Sequence, residues 1–206
     1  ARQLVEEGLA RPILLGSPEV IEAKAKHFGL DLTLVTVIDP TRSEHLPEFA
    51  KELYALRGRK GYTPKKVEYY VRRPIHQAMM MLRMGMADGM VAGIERSYVD
   101  TIEFVLPLVE LKPGVTRAVG VHVLLVEGKV FLFADTTLNI EPDARQLVDI
   151  ALSASDVAKH FGIDPRIAML SFSNFGDNDH PKAKKVRQAV EILHKEHPNL
   201  VVDGEM

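Results

Sequence analysis

An α/β fold, in two subdomains with mainly parallel sheets and flanking helices, is what this sequence predicts, on three observations. Short apolar, β-branched runs alternate with amphipathic helical stretches along all 206 residues. Capping residues stand where helices should begin, Ser17-Pro18 after a strand-like run and Thr63-Pro64 after a basic break. Consecutive strand–helix units then lay their strands side by side in parallel. A change of character near Lys112-Pro113-Gly114 sets the subdomains at 1–112 and 113–206.

Arg11–Gly16 reads as a strand, and Glu19–Phe28 as a helix stopped by Gly29. Leu32–Ile38, rich in β-branched residues, reads as a second strand ending at the Asp39-Pro40 turn. Ser43–Leu56 is helical, and Gly58–Gly61 is a basic break. The helix capped by Thr63 halts before Pro74, because the residue preceding proline disfavours the α region. Ile75–Met86 is a methionine-rich helix whose thioethers suit an irregular core, or else an adaptable binding face. Asp88–Gly93 reads as a short strand into a glycine turn, followed by a helix through Glu110. Arg117–Val126 and Lys129–Ala134 form a hairpin about Glu127-Gly128. Helix Pro142–Phe161, strand Ile167–Phe172, helix Pro181–His197 and strand Leu200–Val202 complete the chain.

Composition excludes several classes. A net charge of −2 supplies no overall basic field for nucleic acid. The absence of cysteine removes disulfide scaffolds, thiolate metal sites and cysteine nucleophiles. Apolar runs such as Val121–Val126 are too short to span a bilayer, and the acidic amino terminus lacks a signal-peptide layout. The expected partners therefore include neither nucleic acid nor membrane, and the expected compartment is the cytoplasm. The chain opens inside a helix-like stretch without an N-cap and closes just after a strand-like run, which predicts a fragment of a longer protein.

In open α/β sheets ligands bind beyond the carboxyl ends of the strands, where helix N-termini offer backbone amides to phosphate groups. That rule selects the loops Gly93–Tyr98, Asp135–Pro142, Ser171–His180 and Asp203 onward. The richest is Ser171–His180, and its residues serve equally for binding or for ordinary turn and cap chemistry. His194 and His197, with Glu196 between them, fit solvent-facing capping at a charged helix end better than a metal site. Asp177, Asp179 and His180 lack the second carboxylate cluster that a cation site needs. No GxGxxG, GxxxxGK or GxSxG element occurs.

At these loops the sequence resembles the phosphate acetyltransferase (phosphotransacetylase) family. Gly85–Gly93 (GMADGMVAG) is similar to the family's GxADGxVxGA strand and turn. Phe133–Pro142 resembles FADxxxNxxP, Arg166–Ser173 resembles RVAMLSFS, and Asp203–Met206 resembles the start of DGEMQ. The resemblance implies two subdomains of the isocitrate dehydrogenase-like type, a homodimer, and a CoA thioester in the cleft between subdomains. It also implies that acetyl exchange between CoA and acetyl phosphate uses no metal, and that the catalytic serine, arginine and aspartate lie in a carboxy-terminal segment beyond this chain.

Details resemble one branch, the domain fused to the carboxyl end of bacterial NADP-dependent malic enzymes. Active enzymes read STxGS where this chain has Ser173-Asn174-Phe175-Gly176-Asp177, and Ser-Thr where it has Ser97-Tyr98. The hybrids' domain binds acetyl-CoA as a signal and lacks transferase activity. The resemblance thus assigns acetyl-CoA to Ser97, Tyr98, Asn139, Ser171, Ser173, Asn174, Gly176 and Asp177, with no catalytic and no metal residue in this chain. NADP and a divalent metal enter only through an upstream catalytic domain, and a higher oligomer only through the whole polypeptide. Asp177 replaces a serine donor by an anion, whose repulsion toward a phosphate at ~4 Å is ~4 kcal/mol at an effective dielectric near 20. Lys182, Lys184 and Lys185 follow closely enough to neutralise it. An active phosphate acetyltransferase and a purely structural dimerisation domain remain as alternatives.

Overall fold

Ser17 turns the chain from its first strand into its first long helix. Its hydroxyl accepts the Val20 N–H at 3.5 Å, and Pro18 opens the helix with a pre-set φ. In this computed structural model, which describes residues 1–94 and 97–206, the chain divides into two units, Ala1–Glu110 and Leu111–Met206.

In the first unit a short helix α1 (Arg2–Glu6) precedes β1 (Ile13–Leu15), which pairs in parallel with β2 (Thr36–Ile38). Between them α2 (Pro18–Phe28) ends at Gly29, whose φ of 64° closes the helix in the left-handed conformation. The strand expected over Leu32–Ile38 is halved. The Asp31 carboxylate accepts both the N–H and the O–H of Thr33, at 2.9 and 2.8 Å, and curls Leu32–Leu34 into a 3₁₀ turn before the strand starts.

Helices α3 (Leu46–Arg57), α4 (Pro64–Val71) and α5 (Pro74–Arg83) enclose the core of this unit. Phe49, Leu53, Val67, Val71 and Leu108 surround Met79, Met80 and Met81, and Met80 is 0% exposed. The methionines therefore fill the core, where flexible thioethers fit an irregular space between helices. Arg83 closes the end of α5 by pairing with Glu52 at 2.9 Å and Glu110 at 3.0 Å.

Two expectations fail nearby. Asp88–Gly93 forms no strand: it has no partner strand among the described residues, and Val91 and Ile94 are exposed, so neither a ladder nor burial holds it extended. The following helix, α6, covers Tyr98–Val105 and stops short of Glu110, because Pro107 disfavours the helical conformation at Leu106.

The second unit opens with the hairpin β3 (Val121–Val126) and β4 (Lys129–Ala134), in register from Val121↔Ala134 to Val126↔Lys129. Glu127 and Gly128 take φ of 50° and 76°, the pair of positive values that a two-residue hairpin turn requires. Helix α7 (Ala144–His160) begins with a capping box between Asp143 and Gln146. Strand β5 (Arg166–Met169), helix α8 (Pro181–Glu196) and strand β6 (Val201–Gly204) form a βαβ unit with parallel strands. Val148 and Ala151 of α7 pack on Val186, Ala189, Val190 and Leu193 of α8, over Met169 and Val202 of the strands.

The fold is α/β, with small sheets: among the described residues there are three of two strands each, two parallel and one antiparallel. No described helix is long and apolar enough to cross a membrane.

Candidate functional site

The close end of the β5–β6 pair creates the most organised site. Gly204 lies opposite Met169 at φ 145°, where a Cβ would come within 2.5 Å of the Met169 carbonyl oxygen. Only glycine fits there, and the next residue, Glu205, is thereby placed underneath the loop that leaves β5. Main-chain bonds Ser171 N–H to Met206 O (2.7 Å) and Met206 N–H to Met169 O (3.2 Å) carry the pairing past the strands.

Glu205 is completely buried. Its Oε1 accepts from Ser173 Oγ at 2.9 Å, Gly176 N–H at 3.1 Å and Arg187 Nη2 at 3.0 Å. The Phe175 N–H donates to the Glu205 carbonyl at 2.8 Å, and Arg187 also reaches the Asn178 carbonyl at 3.3 Å. The Arg187 guanidinium holds the Glu205 carboxyl below its ordinary range against the opposing effect of burial, with Ser173 and Gly176 adding to the lowering. Gly176 takes a φ of 96°, which favours glycine, and a Cβ there would rest at ordinary contact distance, 3.9 Å, from the Arg187 guanidinium.

The loop after β4 is braced in the same manner. The Asp135 carboxylate accepts the N–H groups of Thr137, Leu138 and Asn139, each at 3.0 Å. Desolvation pushes its pKa up, and these bonds, with the Asn139 side chain, outweigh that and lower it. Asn139 Nδ2 also bonds Asp135 and the Ala118 carbonyl, while its Oδ1 accepts from Arg117 Nη1 at 3.0 Å. Glu141 links this loop to the start of α8 through Lys182 at 3.4 Å and Lys185 at 3.2 Å.

The second unit brings Ser171, Ser173, Asn174, Gly176 and Asp177 into one loop and Asn139 into the other. Ser173 is turned inward and 4% exposed, whereas Asn174 and Asp177 face outward. Ser97 and Tyr98 belong to the first unit, at the start of α6, where the Ser97 carbonyl accepts from Thr101. The expected loop Gly93–Tyr98 includes Glu95 and Arg96, which lie outside the described residues.

Several expectations change at this level. The amides of Phe175, Gly176 and Thr137–Asn139 are already engaged by the protein's own acceptors, so side chains rather than these amides are what the two loops have left to offer a ligand. The lysines after the loop pair elsewhere: Lys182 and Lys185 with Glu141, and Lys184 with Asp179 at 3.3 Å. Asp177 is exposed, so solvent screens its charge more than the sequence argument assumed. His194 does not simply face solvent: its Nε2 lies 2.8 Å from the Val202 carbonyl, turning the ring onto β6. Among the described residues no group of three His, Asp or Glu is arranged to hold a metal.

Sequence reasoning missed Arg117, Asp135, Arg187 and Glu205 as site-building residues. Asp135 and Glu205 carry one available signal, a carboxylate placed immediately beyond a strand end. Arg187 carries none, being one basic residue among several on α8.

Fold and loops define an α/β chain whose polar loops stand beyond the strand ends, braced by its own carboxylates. It belongs to the phosphate acetyl/butaryl transferase family, whose model matches residues 1–206. The chain is 35% identical to a phosphate acetyltransferase of Clostridium acetobutylicum, covering 100% of this chain and 64% of that protein. It is equally 35% identical to an NADP-dependent malic enzyme of Escherichia coli, covering 100% of this chain and 28% of that protein. Among solved structures, a phosphotransacetylase from Streptococcus pyogenes superposes with a TM-score of 0.88 at 34% identity, over 99% of this chain and 62% of the other. The EutD phosphotransacetylase from Staphylococcus aureus gives 0.86 at 30% identity, over 100% and 63%. The chain thus spans less than two thirds of the length of each of these relatives.

Proposed function

We propose that this chain is an acetyl-CoA-binding regulatory domain of a malic-enzyme-type protein, without transferase activity of its own. The observation that carries the reading is the Ser173–Asp177 loop. It presents an acceptor-only carboxylate at Asp177, and the three neighbouring lysines are committed to Glu141 and Asp179. An anion there opposes acetyl phosphate more than it opposes the uncharged thioester end of acetyl-CoA, although solvent screens the exposed Asp177 carboxylate and reduces the difference. The similarity to NADP-dependent malic enzymes of Escherichia coli and Haemophilus influenzae, at 35% and 37% identity over the whole chain, supports the same branch.

In this reading Ser97, Tyr98, Asn139, Ser171, Asn174 and Asp177 contribute side chains to acetyl-CoA binding, while Ser173 and Gly176, engaged with Glu205, contribute by holding the loop in shape. NADP and a divalent metal belong to a separate catalytic domain, the domain homodimerises, and the protein works in the cytoplasm. Binding regulates only if acetyl-CoA prefers one of two conformations of the whole protein.

An active phosphate acetyltransferase is the second reading, favoured by the equal 35% identity to the Clostridium acetobutylicum enzyme. Incubating the full-length protein with acetyl phosphate and CoA separates the two. The regulatory reading expects acetyl-CoA to bind and none to be made; sustained synthesis of acetyl-CoA would establish the second reading instead.

A further inference from the structure

We propose that the Glu205–Arg187 ion pair is the positioning device of the Ser173–Asn178 loop, setting the loop's affinity for its ligand without touching the ligand. The inference rests on the acetyl-CoA reading for the identity of that ligand, and on geometry for the brace.

Ser173 Oγ and Gly176 N–H donate to the Glu205 carboxylate and the Asn178 carbonyl accepts from Arg187, while Phe175 N–H donates to the Glu205 main-chain carbonyl. The other bonds, Ser173 N–H to Ser171 Oγ, Asp177 N–H to the Asn174 carbonyl and His180 N–H to Asn178 Oδ1, are local. The two residues reach it from different elements, Glu205 from just beyond β6 and Arg187 from the second turn of α8. The loop conformation is therefore set by an ion pair that joins strand end to helix. Glu205 is 0% exposed, beneath the loop rather than on its outer face, so it acts through the loop. Among the described residues Glu205 Oε2 and Arg187 Nε are buried without a hydrogen-bond partner, so the pair keeps polar atoms out of water for a contact between these two side chains. Here it serves to hold the loop in one conformation, as buried polar pairs do in some proteins. The surrounding charges that act on Arg187 are Asp179 in the loop and Glu191 one turn further along α8.

A device of this kind gives a signature that ligand contacts do not. Removing the cation leaves a buried carboxylate without its countercharge, whereas removing both charges leaves none, so the single loss is the more damaging. Arg187→Met is expected to weaken acetyl-CoA binding by on the order of tenfold, the consequence of losing a preorganised loop. Glu205→Gln keeps an acceptor for Ser173 and Gly176 and should weaken it less.

The test uses the full-length protein and four forms: wild type, Arg187→Met, Glu205→Gln and the double variant. Acetyl-CoA affinity is read by calorimetry, and hydrogen exchange is read for peptides covering 173–178 and, as a control, 144–160. The expected result is faster exchange confined to 173–178 and weaker binding in Arg187→Met, with the double variant closer to wild type than Arg187→Met is. Unchanged exchange at 173–178 in a folded Arg187→Met overturns the proposal, as does a loss spread equally over 144–160. If wild type does not bind acetyl-CoA, the ligand assignment falls, while exchange at 173–178 still decides the brace.

Discussion

At the scale of single residues, Gly204 and Glu205 divide the work of the site between shape and charge. Gly204 permits the close approach of β6 to β5, and any Cβ there meets backbone at 2.5 Å, which flexible side chains cannot relieve. Gly204→Ala is therefore expected to destabilise the protein by roughly 2–3 kcal/mol, read as a lower Tm in calorimetry, with the loop over Glu205 disturbed first. The acid response follows from the lowered carboxyls. Glu205 and Asp135 titrate below their ordinary values of 4.5 and 3.8 in the folded protein, so their contribution is fully present above those values. It is lost as pH falls through the lowered folded values. The Tm of wild type should fall on that acid side, and Glu205→Gln should make the fall shallower. An equally steep fall in that variant would remove Glu205 from the account. Ser173 and Gly176 were legible as loop residues because serine and glycine in a post-strand loop are a local pattern. The brace was not, because Glu205 and Arg187 are 18 residues apart and no local periodicity relates them.

At the scale of elements, capping decided where α2, α4 and α7 start, and glycine or proline where several helices stop. Ser17, Thr63 and Asp143 each accept a backbone N–H at the head of a helix; the first two caps were readable in the sequence, whereas the third helix was expected to begin at Pro142 and begins after Asp143. Asp143→Ala removes half of the capping box of α7 and should cost about 1 kcal/mol, measurable as a shift in thermal midpoint. The misread elements fail for two different reasons. Leu32–Leu34 has strand-like composition, yet the Asp31 side chain offers its backbone a nearer partner. Asp88–Gly93 has strand-like wording, yet a strand also needs a neighbour, and which segments become neighbours is decided far away in the sequence. The methionines of α5 posed a different choice, core or binding face, which only the packing of α3 and α4 around Met79–Met81 resolves.

At the scale of the whole molecule, the α/β class and the family were both legible, the first from alternating periodicities and the second from motifs spread along the chain. Small two-stranded sheets in place of one larger sheet were not legible, since strand order is a long-range property. In the proposed reading the polar loops report acetyl-CoA to a malate-oxidising protein and transfer no acetyl group. The most direct measurement is the rate of NADP-dependent malate oxidation by the full-length protein, with and without saturating acetyl-CoA. A changed rate is expected, and a rate identical in both conditions would overturn the sensing role.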